Sequence, residues 1–149
     1  MEKQKVAVLD LDGVVLNSKC IFEEICTLGL TGDDMWRYFY TNCNADRVHV
    51  INDALELIQL FYDAGVEIAF STARNEKCKE ETRKKLWQHG ITSDLLYMRK
   101  DGDSRPSPEV KKEHLEEISK KYDIILFVDD ELSNCETAKS MGIMSLRRV

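Results

Sequence analysis

Five short apolar runs punctuate the chain, at Val6–Asp10, Val66–Thr72, Leu95–Met98, Ile124–Asp129 and Ile143–Leu146. Each is continuous rather than alternating, the pattern of a strand buried on both faces. Between them the apolar positions recur with a helical period. In "VINDALELIQLFYDAG", Ile51, Leu55, Ile58 and Tyr62 share a face and Gly65 supplies a stop. "NEKCKEETRKKLWQHG" closes in the same way at Gly90, and its charges read as a solvated face. In "SNCETAKSMG", Ser133 and Glu136 stand at capping-box spacing ahead of Gly142. Strands alternating with helices predict an α/β fold of three layers, a mostly parallel five-stranded sheet with helices on both faces.

The stretch from Val14 to Asn52 breaks this rhythm. It is rich in helix formers and aromatics ("IFEEICTLGL", "DDMWRYFY") and shows no strand pattern. It reads as a small helical insert beside the sheet, its aromatics serving as packing rather than as a ligand box. The whole chain, 1–149, then forms a single domain, with no repeat and no low-complexity tract.

Composition narrows the function classes. A formal net charge of −6 opposes a surface that coats nucleic acid, which needs a basic excess, and leaves room only for a local basic rim. No apolar run approaches the ~20 residues of a membrane helix, and the N-terminus enters a strand at once, so neither membrane nor export is expected. The five cysteines are odd in number and form no C-x-x-C, which suits free thiols in a reducing cytoplasm. His49, His89 and His114 form no metal-binding pattern and read as ordinary surface or core residues.

The chemistry gathers where the strands end. In an open parallel sheet the ligand site lies outside the carboxyl ends of the strands. Here the first strand ends in Asp10-Leu11-Asp12, the second in Ser71-Thr72 and the fourth in Asp129-Asp130. A strand merely reaching water explains one acidic pair easily and both pairs poorly. Converging acids form a hard oxygen-donor site of the type Mg²⁺ prefers. Lys111 adds a cation. In "RPSPEVKKEHLEEISKKY", Ser107 is the expected N-cap with Pro108 in the first turn, and Lys111, Leu115, Ile118 and Tyr122 share the apolar face. A lysine there opposes the helix dipole and calls for an anion opposite it; alone, it would read as a snorkelling surface residue. A nucleophilic carboxylate, a second acid for proton transfer, a hydroxyl, a lysine and Mg²⁺ are the parts of a phosphoryl-transfer site.

With these residues in order, the chain resembles the haloacid dehalogenase (HAD) superfamily in its phosphatase branch, and the Rossmann-like HAD fold is implied. "DLDGV" is similar to the D-x-D-G-[TV] motif, "IAFSTAR" to the strand ending in Thr-x-Arg, and "FVDDELSN" to the acidic fourth motif. The resemblance implies Asp10 as the nucleophile that becomes an aspartyl-phosphate and Asp12 as the general acid/base. Thr72 and Lys111 would bind the phosphoryl group, with Gly13 beside it. Mg²⁺ would be held by Asp10, the backbone carbonyl of Asp12, and the Asp129–Asp130 pair, Asp130 directly and Asp129 through hydrogen bonds around Lys111. Within the superfamily, "TAR", "RKDGDSRPSPEVKKE" and "VDDE" resemble the 3′-phosphatase domains of the phage polynucleotide kinase-phosphatase family. That likeness places Arg74 on the substrate phosphate, and Arg99 and Arg105 on a loop near the leaving group; ordinary loop charge is the competing account of the last two. No kinase P-loop is present.

The expected function is a Mg²⁺-dependent phosphomonoesterase acting on nucleotide or polynucleotide 3′-phosphate ends, the partner being that phosphorylated substrate and not another protein. A 5′-nucleotide or sugar phosphate is the alternative substrate. A receiver-like module would place its acid pair, phosphoacceptor and lysine in another order. A non-catalytic phosphate-binding scaffold would not need every motif residue.

Overall fold

The first apolar run forms β1 (Gln4–Leu9), the central strand of the sheet. The computed structural model describes residues 2–149. After β1 come β2 (Leu16–Asn17), α1 (Lys19–Leu28), α2 (Gly32–Asn42), β3 (His49–Val50) and α3 (Asn52–Asp63). They are followed by β4 (Glu67–Asn75), α4 (Lys79–Gln88), β5 (Leu96–Arg99), α5 (Ser107–Lys121), β6 (Tyr122–Asp129), α6 (Leu132–Ser140) and β7 (Ser145–Arg147). The five-stranded sheet has the order β5-β4-β1-β6-β7, and each neighbouring pair is parallel.

Alternation along the strands assigns the two faces. Ala7, Leu9, Ile68, Phe70, Leu126 and Val128 pack with Ile21, Ile25, Phe39, Ile58 and Leu86 from α1 to α4. Val6, Val8, Ala69 and Phe127 point the other way, onto Leu115 and Ile118 of α5 and Ala138 of α6. The expected three layers therefore form. The chain runs outward from β1 through β4 to β5, then crosses back to β6 on the other side. That reversal opens a crevice beyond the end of β1.

Several local expectations are corrected. The Val14–Asn52 insert carries two helices as anticipated, and also a small antiparallel ribbon pairing Leu16 with Val50 and Asn17 with His49. Two-residue strands are too short to show a period. The ribbon ties the start of the insert to its end, so α1 and α2 hang beside the carboxyl edge of the sheet. Strand β4 runs on to Asn75, past the expected end at Thr72, and a 3₁₀ turn over Glu76–Cys78 precedes α4. At α5 the N-cap is Pro106 rather than Ser107, whose hydroxyl instead accepts a hydrogen bond from Asn134 at 3.2 Å. The capping box at Ser133 and Glu136 does not form, because α6 already begins at Leu132.

Candidate active site

A cleft of about 820 Å³ opens at the carboxyl edge of the sheet. Every site residue selected from the sequence lines it except Asp129, which lies fully buried beneath. The structure sorts them into two groups, each built around one buried cation.

The first cation is Lys111. The apolar face of α5 carries it inward beside Leu115 and Ile118, both buried against the sheet. Its Nζ donates to Asp10 Oδ1 at 2.8 Å and to the Ser71 carbonyl, and lies 3.2 Å from Asp129 Oδ2. Three ammonium protons meet three acceptors. Burial alone would lower the lysine pKa, yet Asp10 and Asp129 hold it above the ordinary value. Lys112, one residue on, is exposed and meets only Glu116. Asp129 is fixed further by the Glu131 N–H at 2.9 Å and the Asn134 amide at 3.2 Å.

Asp10, Asp129 and Asp130 each offer an oxygen within 4.8 Å of the others. Two of the three, Asp10 and Asp129, pair with the Lys111 ammonium, and Asp130 stands beside them without a cation. Burial pushes Asp10 well up from the ordinary carboxylate value; Lys111 opposes that and Asp129 reinforces it. Burial, then Asp129, raises Asp130. The cluster is short of positive charge and made of hard oxygen donors, so it fits a divalent cation. Gly13 makes room for it. Its φ is +87°, and a β-carbon there would run into the Asp130 carboxylate.

The second cation is Arg74, and here the geometry departs from the implied role. Arg74 lies on β4 rather than on a loop, and it is buried. Its Nε donates to Asp12 Oδ2 at 2.8 Å and its Nη2 to Asp12 Oδ1 at 2.7 Å, a bidentate pair. Nη1 donates to Asn44 Oδ1 at 2.7 Å and Thr82 Oγ1 at 3.3 Å, and Nη2 also reaches the Cys43 carbonyl at 3.1 Å. All five guanidinium N–H groups are thus spent on the protein, leaving none for a phosphate. Ser18 Oγ adds a donated hydrogen bond to Asp12. Burial would raise the Asp12 pKa, but the charge and hydrogen bonds of Arg74, then Ser18, hold it below the ordinary value.

Thr72 stands between the two groups. Its Oγ1 accepts from the Arg74 backbone N–H at 3.1 Å, which leaves the hydroxyl proton to donate into the cleft. Behind it, His114 Nε2 meets the Met98 carbonyl at 3.1 Å and Nδ1 lies 2.7 Å from Ser71 Oγ. A carbonyl only accepts, so Nε2 carries the proton and Nδ1 accepts from Ser71. His114 is a buried structural histidine. Arg99, the last residue of β5, is turned mostly onto its own loop, donating to the carbonyls of Ala73, Asp103 and Arg105. Arg105 is clamped by Asp103 and Glu113.

Sequence reasoning missed Ser18, which supports Asp12, and Asn44, which supports Arg74, because neither belongs to a periodic pattern or a motif. It also set aside the insert aromatics as packing. Phe39 is indeed buried, but Phe22, Trp36 and Tyr40 form a wall of the cleft.

This fold and site define a class, a parallel α/β domain with paired aspartates, a buried lysine and a cation-competent carboxylate cluster at one sheet edge. The model of the HAD superfamily, subfamily IIIB (acid phosphatase), matches residues 1–148, and the chain belongs to that family. No curated protein matches the sequence. Among solved structures the chain is similar to one from a Pnkp1/Rnl/Hen1 RNA repair complex, with a TM-score of 0.78 and 22% identity. That match covers 98% of this chain and 42% of the other, so this chain spans less than half of its relative's length. The class C acid phosphatase of Bacillus anthracis gives a TM-score of 0.72 at 23% identity, over 90% of this chain and 54% of that one. Protein tyrosine kinase A of Mycobacterium tuberculosis gives 0.68 at 17%, over 98% and 83%. A protein named a kinase on the same scaffold shows that the fold leaves the reaction open.

Proposed function

We propose that the chain is a Mg²⁺-dependent phosphomonoesterase that works through an aspartyl-phosphate on Asp10. The observation that carries this reading is the division of the D-x-D pair between two cations. Asp10 sits on Lys111 within the carboxylate trio, while Asp12, two residues on, sits on Arg74. One acid is set up to meet phosphorus beside a metal, and the other to handle protons outside it.

An Asp10 carboxylate oxygen attacks phosphorus and the ester P–O bond breaks. The departing alkoxide takes a proton from Asp12 in its protonated form, the form that the pairing with Arg74 disfavours in the substrate-free site. Water then attacks the aspartyl phosphorus, Asp12 removes its proton, and the acyl–phosphate P–O bond breaks to release phosphate and restore Asp10. Lys111 and the Thr72 hydroxyl stabilise charge on the phosphoryl oxygens. Asp10, Asp130 and the Asp12 carbonyl would hold Mg²⁺, with Asp129 orienting Lys111. The metal supplies neutralisation of the phosphoryl oxygens. Arg74 acts here as a positioning residue for Asp12 rather than as a phosphate ligand.

For the substrate, the likeness to the RNA-repair chain supports a nucleotide or polynucleotide 3′-phosphate end. The likeness to a class C acid phosphatase supports the second reading, a small phosphate ester such as a 5′-nucleotide. The deciding experiment assays phosphate release from 3′- and 5′-phosphorylated oligonucleotides, nucleoside monophosphates and sugar phosphates, with Mg²⁺ and with EDTA. Release from 3′ ends that is lost in EDTA is the expected result. Faster release from 5′-nucleotides or sugar phosphates would move the assignment to the second reading. Undiminished activity in EDTA would remove the metal from the mechanism.

A further inference from the structure

The turn that carries the insert out of α2, Cys43-Asn44-Ala45, does not line the cleft, and the phosphoryl chemistry does not use it. It is nevertheless held by three buried side chains from β4 and α4, namely Arg74, Thr82 and Lys85. Arg74 Nη2 donates to the Cys43 carbonyl at 3.1 Å and Lys85 Nζ to the Ala45 carbonyl at 2.9 Å. Between them the Asn44 amide makes a bridge. Its Oδ1 accepts from Arg74 Nη1 at 2.7 Å and its Nδ2 donates to Thr82 Oγ1 at 3.2 Å. Thr82, fully buried, also accepts from Nη1 at 3.3 Å and donates its own proton toward Cys78 Sγ at 3.8 Å. The threonine hydroxyl thereby uses its one donor and both acceptor sites.

The guanidinium gives this network its consequence. It is a planar, rigid fork, so fixing one edge fixes the other. Its near edge, Nε and one Nη2 proton, holds Asp12. Its far edge, Nη1 and the other Nη2 proton, is held by Asn44, Thr82 and the Cys43 carbonyl. Asn44 makes the shortest contact of that far edge. Lys85 grips the same turn through a backbone carbonyl, and two cations share no hydrogen bond, so it holds the turn without holding Arg74.

We infer that Asn44, backed by Thr82, is a positioning residue for the proton transfer carried out by Asp12, acting through the plane of the Arg74 guanidinium. This rests on the phosphatase reading and deepens it by naming what keeps the acid aimed at the leaving group. Neither residue lines the cleft, so the effect falls on the chemical step and not on substrate binding. It grows with the basicity of the departing alcohol, because a good leaving group needs no proton.

Two measurements test it. The first compares β-glycerophosphate with p-nitrophenyl phosphate by kcat/KM, which reports the steps up to loss of the leaving group. Asn44→Ala lowers the value for the alkyl ester by about tenfold, a fraction of what general acid catalysis supplies, and for the aryl ester by less than about twofold. Adding Thr82→Val costs little more, because both residues act on Nη1. Lys85→Met lowers the melting temperature and leaves the ratio of the two esters unchanged. Equal losses on both esters in Asn44→Ala, or the same change of ratio in Lys85→Met, mean a merely structural turn and overturn the inference. Losses that multiply in the double variant overturn the shared route through Arg74. The second measurement needs no turnover. In EDTA the caged guanidinium gives separate, slowly exchanging Nη–H resonances for Arg74 in proton–nitrogen correlation spectra. Asn44→Ala merges them and Lys85→Met does not; separate resonances that persist in Asn44→Ala overturn the positioning. A wild-type protein that releases phosphate from neither ester but shows the merging overturns the phosphatase reading and leaves the Asn44–Arg74–Asp12 linkage standing.

Discussion

Lys111 and Arg74 are both buried cations bound to aspartates at the same sheet edge, yet they do opposite things. Lys111 faces an excess of acid, with Asp10 and Asp129 on its ammonium and Asp130 beside them, and the pKa of Asp10 is driven up. Arg74 faces a single carboxylate in a bidentate pair, every other donor satisfied by neutral groups, and the pKa of Asp12 is driven down. One site is electrostatically incomplete and the other complete. Incompleteness belongs where a metal and a phosphoryl group must enter. Completeness holds the Asp12 carboxylate in one orientation and in its ionised form, the form that takes the proton from water. Two like charges two residues apart are tolerated because each has its own cation, supplied by a different part of the chain.

The sharpest test pairs Asp10→Asn with Asp12→Asn. Both should abolish or severely impair turnover. Asp12→Asn should lose less on an activated aryl phosphate, whose leaving group needs no proton. Their stabilities should part. Removing Asp12 strands a buried guanidinium, at a cost of roughly 3–5 kcal/mol. Removing Asp10 relieves a crowded acid cluster that still leaves Asp129 on Lys111, so denaturant unfolding in EDTA should show little loss or a gain. Equal destabilisation of the two variants would erase the contrast.

Lys111→Ala against Lys112→Ala comes next. The first strands two buried carboxylates, Asp10 and Asp129, and should cost several kcal/mol along with activity. The second removes an exposed side chain and should leave thermal unfolding and kcat within experimental error. Comparable small effects would mean that the buried ammonium is not the organising charge.

His114 probes the scaffold behind both groups. Burial, then the Lys111 charge, lowers its pKa from 6.5 to about 4. Between those values the unfolded chain binds a proton that the folded chain refuses. The stability contributed is complete above pH 6.5 and falls by about 3 kcal/mol as pH drops to 4. Asp10 and Asp130, both raised, act in the opposite direction, because the folded state protonates them first. The difference between wild type and His114→Gln isolates the histidine, and its unfolding free energy should shrink as pH falls through that window. A pH-independent difference would contradict the buried neutral imidazole.

The smallest effect belongs to Arg105. It is held by Asp103 and Glu113 on the surface, so Arg105→Gln should change KM modestly, and less at high salt. A large salt-independent loss would place Arg105 on the substrate after all.

The layers and the order of the chemistry along the chain were legible in the amino-acid sequence alone. Continuous apolar runs can only be buried on two faces, and acids at their ends must come together at one edge of a parallel sheet. Lys111 was legible for the same reason, since a charge on an apolar helical stripe has nowhere to go but inward. Only the tertiary structure decided partners. Arg74 looked like a phosphate ligand because it follows Thr72, but the extension of β4 and the return of the insert wrap it in Asp12, Asn44, Thr82 and the Cys43 carbonyl. Those groups lie up to 62 residues away in the chain. The insert aromatics likewise have the spacing of any helix core, and the Leu16–Val50 ribbon that swings them over the cleft is too short to leave a pattern. Periodicity reports how a segment meets its own layer. Which cation answers which acid depends on contacts between segments, and no local spacing encodes those.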